Sequence, residues 1–526
     1  MPKSLKESLW VLVALVAVIL VPVALRSRQA RQAHADETLV IISPHNEAVR
    51  FEFARAFTEA HFRKTGKTVH IDWRTPGGTS EIARYLAAEY LGAFQYYWEQ
   101  KLGQPWSAEV QAAFDNPKVK PGDDTPAARA RAAFLDSKVG CGIDLFFGGG
   151  SYDYGQQAAA GRLVPIDLLK EPAQFPDSVA RFPQTLGGEI LRDPQGRWAG
   201  CALSAFGICY NLDALHRIGF TGVPEQWADL ARPELKGAVA LADPTQSGSV
   251  AKAFELIVQQ QIAEAGGNTA EGWRRALVLI RRIAGNARYF SDSATRIVWD
   301  VESGDAAAGM SIDFYGRMQS ESVRYPDGTS RMGYVTPRGG SSFGADPIGL
   351  LRGAPSPELA REFIVFALSI EGQKLWNWKV GTPGGPVHYA LRRLPVLPEL
   401  YGTQYDSFRS DPGVNPYTWA ENNPPYHPEW TASLFRVIAF LVQATAIDPH
   451  EELREAWDAL IAHGFPPQAT AAFDDIAGMD YKTANEVLKP ALSSGQKIDQ
   501  ARLARELCDR ARAQYLRAAK LAGEGR

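Results

Sequence analysis

Through most of the chain, short apolar runs alternate with polar loops, and the spacing within the runs switches between two periods. Thr38 to Ile42 reads as a strand, and Val49, Phe53, Ala56, Phe57 and Ala60 then recur at helical spacing. Thr68 to Trp73 and a helix opening near Glu81, with Ile82, Tyr85 and Leu86, repeat that unit, and Gly142 to Phe147 adds a third strand. Ala238 to Ala242 reads as a short buried strand, followed by Val250, Ala253, Phe254, Ile257 and Val258 on one helix face, with Ser249 as the expected cap. Arg288 to Phe290 precedes a helix opening at Ser291 to Thr295, and Ala306 to Tyr315 reads as another strand. Strand, loop and helix in alternation predict an α/β fold with parallel sheets covered by helices. In such sheets ligands sit beyond the carboxyl ends of the strands.

The apolar stretches Gly196 to Asn211 and Ala345 to Leu351 read as chain crossing between two lobes. The expected organisation is lobe 1 over 36–205, lobe 2 over 206–342, and a return crossing with lobe completion over 343–429. Two segments break the rhythm. An insertion over about 91–138 carries Phe94, Tyr96, Tyr97 and Trp98, which are expected to pack onto lobe 1. Residues 430–526 form a charged, helical C-terminal extension to which the pattern assigns no chemistry.

A chain of 526 residues can bury a large core, and 22% charged with 45% hydrophobic residues is ordinary globular composition. The N-terminus adds a targeting signal. Lys3 and Lys6 precede the uncharged run Leu9 to Leu25, and Ala33-His34-Ala35 offers a cleavage site, so 1–35 reads as a signal peptide or a membrane anchor. Either reading places the body in the periplasm or on the outer face of the cytoplasmic membrane. The net charge is −3, and the first 35 residues hold +4, which leaves a mildly acidic body unsuited to nonspecific nucleic-acid binding. Cys141, Cys201, Cys209 and Cys508 match no metal spacing and read as small buried thiols.

Loops rich in Ser, Thr and Gly join a strand to a helix four times, at Gly77 to Ser80, Gly148 to Ser151, Ser247 to Ser249 and Ser291 to Thr295. A helix start presents unpaired N–H groups and the positive end of the dipole, a combination that suits an anion. The candidate ligand shell is therefore His45, Thr79, Ser80, Gly150, Ser151, Ser247, Gly248, Ser249, Ser293 and Tyr315. His45, Asp313 and Tyr315 also form an alternative donor set for ferric iron. Gly340-Ser341-Ser342-Phe343-Gly344 matches G-x-S-x-G but lacks the strand before it and the helix after it, so it reads as a turn. No nucleophile, base and oxyanion site belong together, which argues against an enzyme.

The ordered pieces LVIISPHNEAVRFEFARAF, GGTSEIARYL, IDLFFGGGSYDYGQQAAAGRLVPI, GRWAGCALSAFGICYNLDAL, PEQWADLARPELKGAVALADPTQSGS, GDAAAGMSIDFYGR and DPIGLLRGAPSPELAREFIVFALSIEGQKLW resemble extracellular solute-binding proteins of ABC importers, in the ferric-iron, sugar-phosphate and phosphonate branch. The resemblance covers most of Thr38 to Trp376. It implies a type II periplasmic binding fold that closes on a small anionic ligand by a hinge, no cofactor and no catalysis. It also implies delivery to a permease and ATPase complex. Ferric-binding members often carry adjacent tyrosines where this chain has Phe314-Tyr315, which favours an oxyanion over iron. A membrane-tethered ligand sensor is the remaining alternative.

Overall fold

The computed structural model describes residues 35–170, 181–494 and 496–526. The segment assigned above to a signal peptide or anchor lies outside the described residues, apart from its last residue.

Two mixed sheets carry the fold. In the first, β1 (Glu37–Ile42) lies between parallel β2 (Val69–Arg74) and β3 (Leu145–Phe147). Antiparallel β12 (Gly344–Leu350), β6 (Ala199–Ser204) and β13 (Leu394–Pro395) complete it, in the order β13-β6-β12-β3-β1-β2. The second sheet runs β11-β7-β10-β8-β9. Its members are β7 (Phe206–Asn211), β8 (Val239–Ala242), β9 (Ala287–Ser291), β10 (Ala308–Ile312) and β11 (Met332–Val335). β8, β9 and β10 are parallel, and β7 runs antiparallel to both of its neighbours, β10 and β11.

The chain passes from the first sheet to the second at Ala205, between β6 and β7, and returns through 336–343. The two crossings are tied together, because Ser341 Oγ donates to the Phe206 carbonyl at 2.6 Å and accepts the Phe206 N–H at 3.2 Å. Ser342 donates to Glu189 Oε1 at 2.6 Å. Both serines of the G-x-S-x-G match are thus spent holding the connection between lobes.

Each sheet has its own apolar core. The first core takes in β12 and the segment through Tyr401, and the second takes in most of the C-terminal helices. The C-terminal extension is therefore part of the second core, not an appendage. Trp457 and Tyr515 are buried there, Trp457 Nε1 donates to Asn286 Oδ1 at 2.7 Å, and Trp273 Nε1 donates to the Met479 carbonyl at 2.8 Å. Among the described residues one helical stretch, Pro428–Ile447, is long and apolar enough to cross a membrane, but more than half of its apolar window is buried inside the protein. The insertion packs on the first lobe as expected. Phe94 stacks on Phe114 with centroids 4.8 Å apart, Phe134 meets both edge-on, and Tyr96 alone of the aromatic cluster is strongly exposed. The cysteines are free thiols, three of them buried.

Candidate functional site

The strand directions bring the loops together. The carboxyl ends of β1, β2 and β3 open onto one edge of the first sheet. β12 runs the other way, so its start, Asp346, reaches the same edge, as do Ser204 at the end of β6 and Arg393 just before β13. The carboxyl ends of β8, β9 and β10 face them from the second lobe. Between the two edges lies a cavity of about 400 Å³.

Five helices start at this cavity. From the first lobe come α1 (Glu47–Thr65), capped by Asn46, and α2 (Thr79–Tyr96), which begins after Gly78. From the second lobe come α3 (Gly248–Glu264), α4 (Ala294–Glu302) and α5 (Asp313–Ser322). Ser247 caps α3 by accepting the Val250 N–H, so the cap falls two residues before the expected Ser249. Ser293 caps α4. The strand expected to run through Tyr315 ends at Ile312, and Asp313-Phe314-Tyr315 opens a helix instead. Asp313 triggers that change, since its buried carboxylate accepts the Phe314 N–H at 2.8 Å and pairs with Arg317 one turn on at 2.8 Å.

Of the expected shell, His45, Thr79, Ser247, Gly248, Ser249, Ser293 and Tyr315 line this cavity. Gly150 and Ser151 line an adjoining chamber. Ser80 lines a third pocket, between α2, the second lobe and the C-terminal extension. Asp313 does not line the cavity. The donors suggested for ferric iron therefore do not converge, and the residues present fit that cargo poorly. Burial raises the Tyr315 phenol above its ordinary value, which keeps it a neutral hydrogen-bond donor.

The floor is a buried charged cluster that the sequence pattern did not reveal. Arg393 pairs with Asp346, donates to Ser204 Oγ at 3.1 Å and lies 2.8 Å from His45 Nε2. Asp346 also accepts the Gly149 N–H at 2.7 Å. Burial lowers the His45 pKa, so its ring is neutral. Nε2 lies between a donor, Arg393, and an acceptor, Asp346 Oδ2 at 3.1 Å, so the ring either accepts from Arg393 with its proton on Nδ1 or donates to Asp346 with its proton on Nε2. Among the described residues, His45 Nδ1 and Arg393 Nε have no hydrogen-bond partner. Burial pushes the Asp346 carboxyl up, but Arg393 and His45 outweigh it and hold the group below its ordinary value. Arg393 is aimed here by its neighbour. Arg392 adopts a left-handed backbone, φ 52°, and is anchored to Asp411 and Glu321.

Two glycines let the backbone approach. Gly148 and Gly149 have φ of 96° and 128°, and a Cβ would fall 2.6 Å from the His45 ring in the first case and 2.8 Å from Thr79 Cγ2 in the second. Charged acceptors are few. Two exposed carboxylates belong to the lining, Asp292 and Glu81, and Glu81 is turned back to accept the Gly78 N–H at 2.6 Å. The arrangement offers N–H groups, hydroxyls, a phenol and one guanidinium to whatever enters, and donors of that kind suit an oxyanion. The signal that could have revealed Asp346 was present: a carboxylate at the head of the apolar run Ala345 to Leu351 has to be paired. Arg393 carried no comparable local mark.

Residues 139–391 match the bacterial extracellular solute-binding protein family. An uncharacterized protein of Haemophilus influenzae is 26% identical over 240 residues, which is 45% of this chain and 61% of that protein. The phosphoglycerate transport regulatory protein PgtC of Salmonella typhimurium is 24% identical over 174 residues, 33% of this chain and 39% of that protein. The chain thus spans less than two thirds of the length of each of these relatives. Among solved structures, the periplasmic binding protein AfuA of Actinobacillus pleuropneumoniae, with fructose-6-phosphate bound, aligns at a TM-score of 0.49 and 16% identity, covering 78% of this chain and 99% of that one. Iron-bound HitA of Pseudomonas aeruginosa aligns at 0.46 and 16%, covering 76% and 98%. Close to half of the chain, residues 139–391, is therefore similar to the bacterial extracellular solute-binding proteins.

Proposed function

We propose that this protein is the extracytoplasmic binding component of an ABC importer and captures a small organophosphate or phosphonate between its lobes. The observation that carries the reading is the convergence of helix starts from both lobes on one cavity floored by Arg393. First-turn N–H groups of α2, α3 and α4, with the hydroxyls of Thr79, Ser249 and Ser293 and the Tyr315 phenol, would hold the anion's oxygens. Arg393 Nε would add a donor from the floor, and so would His45 Nδ1 when it carries the ring proton. Closure about the two crossings brings the halves of the shell together, and at the rim a Cβ on Gly78 would lie 3.5 Å from the Gln246 carbonyl of the other lobe. The loaded form would dock on a permease driven by a cytoplasmic ATPase, from the periplasm or tethered through 1–35. The phosphoglycerate in the name of the Salmonella relative belongs to the same ligand class.

That relative is also named a transport regulator, which favours a membrane-tethered sensor as the second reading. A permease and ATPase gene pair beside this gene supports the importer, and a histidine kinase supports the sensor. Native mass spectrometry of the purified protein, followed by release and identification of what it carries, tests the ligand class. A phosphate- or phosphonate-bearing small molecule is expected. A cationic or uncharged ligand would overturn the reading.

A further inference from the structure

Behind the anion cavity lies a second chamber of about 310 Å³, which meets the first along Thr79, Gly149, Gly248 and Ser249. Its walls differ in kind. Trp198 and Ile190 come from the first lobe, Phe206 from the crossing, and Tyr426, Ala432 and Phe435 from the chain beyond the return crossing. Tyr152, on the helix Ser151–Ala160, lies against Phe435 with ring centroids 4.6 Å apart, so the C-terminal extension closes the chamber against the first lobe. The charges at its back are spent on one another. Lys252 Nζ is 2.8 Å from both Glu189 Oε1 and Glu255 Oε2 and lies 3.7 Å from the centre of the Tyr426 ring. Glu255 also accepts the Tyr426 and Thr431 hydroxyls, each at 2.7 Å. Apart from the Asp153 carboxyl, what is left for a ligand is a largely aromatic and aliphatic surface that opens directly onto the donor-lined cavity.

We propose that the ligand is a two-part molecule, an anionic group seated on the helix starts and a ring-sized apolar body in this chamber, and that the C-terminal extension sets that preference. The inference rests on the anion reading of the first cavity. An anion with no apolar part would leave the half-buried Phe206 and Phe435 uncovered, whereas a ring would gain much of the burial energy of an aromatic side chain.

The test is calorimetric titration of the full chain with methylphosphonate and phenylphosphonate. Phenylphosphonate is expected to bind roughly 10- to 100-fold more tightly. Ala432→Phe, which fills the chamber, is expected to remove that preference while leaving methylphosphonate binding unchanged, and the unchanged value shows that the variant is folded. Equal affinities in the wild type would overturn this inference and leave the anion reading standing. A ring preference that survives Ala432→Phe would also overturn it, by placing the ring elsewhere. Binding of neither probe would remove the anion reading and this inference together.

Discussion

Replacing Arg393 with Met tests the floor of the cavity. Met keeps much of the buried stem and removes the guanidinium. Asp346, 2% exposed, then keeps only the Gly149 N–H at 2.7 Å and His45 at 3.1 Å as polar partners. Breaking a buried pair by removing one partner costs about 3–5 kcal/mol. The pH dependence identifies the cause. In the wild type the Asp346 carboxyl lies below its ordinary value. Its contribution is present above the unfolded value, about 4, and is lost as pH falls through the folded one. In the variant only the Gly149 N–H and His45 oppose burial, and the carboxyl is expected to rise above its unfolded value. The variant is then penalised at high pH and recovers as the medium becomes acidic. Urea unfolding at pH 8 and pH 5 should show the larger deficit at pH 8, and adding Asp346→Asn should restore much of it. Ligand affinity should behave differently. Loss of a charge-assisted donor is worth about 1.5–3 kcal/mol, or about 10- to 150-fold in affinity. Asp346→Asn should not restore it. Equal deficits at both pH values, with affinity unchanged, would refute the reasoning.

Three further outcomes follow from the geometry. Gly149→Ala places a Cβ 2.8 Å from Thr79 Cγ2 on a backbone of φ 128°, and should cost about 1–3 kcal/mol and weaken ligand binding, measured by denaturation and calorimetry. Lys252→Met leaves Glu189 and Glu255 without their shared cation and should cost about 3–5 kcal/mol in urea melts. In the wild type burial lowers the Lys252 pKa, but the two glutamates outweigh it and raise it, so this stabilisation is full below about pH 10 and fades only in stronger alkali. Burial pushes Asp153 up to about 7, so its ionisation opposes folding as pH rises. Asp153→Asn should melt above the wild type at pH 8 and close to it at pH 4, and parallel curves would contradict the shift.

The alternation of strand and helix was readable because it is local. β1, β2, β8 and the helices that follow them arise from apolar periodicity and from Gly, Ser and Asn at their ends. Convergence of the loops after β1 and β2 follows from parallel strand direction, which groups His45 with Thr79, whereas β8 lies in the other sheet and Ser249 joins them only through the expectation that two lobes face one cleft. Local spacing failed where one polar side chain decides the outcome. The buried Asp313 carboxylate, hydrogen-bonded to the next backbone N–H, turned a strand continuation into a helix start. Ser247 rather than Ser249 took the cap because the helix begins two residues earlier than the apolar face suggests. Arg393 was invisible, since it is 348 residues from His45 and is aimed by the backbone of Arg392, which is itself held by residues far along the chain. The C-terminal helices look charged and amphipathic in sequence, and only their packing shows that they complete the second core and wall the chamber.

The central claim is that helix starts from both lobes hold one anion. Hydrogen–deuterium exchange of the full chain, with and without the small molecule that co-purifies, tests it most directly. The account predicts slowed exchange at the first-turn amides of α2 in one lobe and of α3 and α4 in the other, all at the same ligand concentration. Protection confined to one lobe, or absent from these helix starts while the ligand is bound, would contradict it.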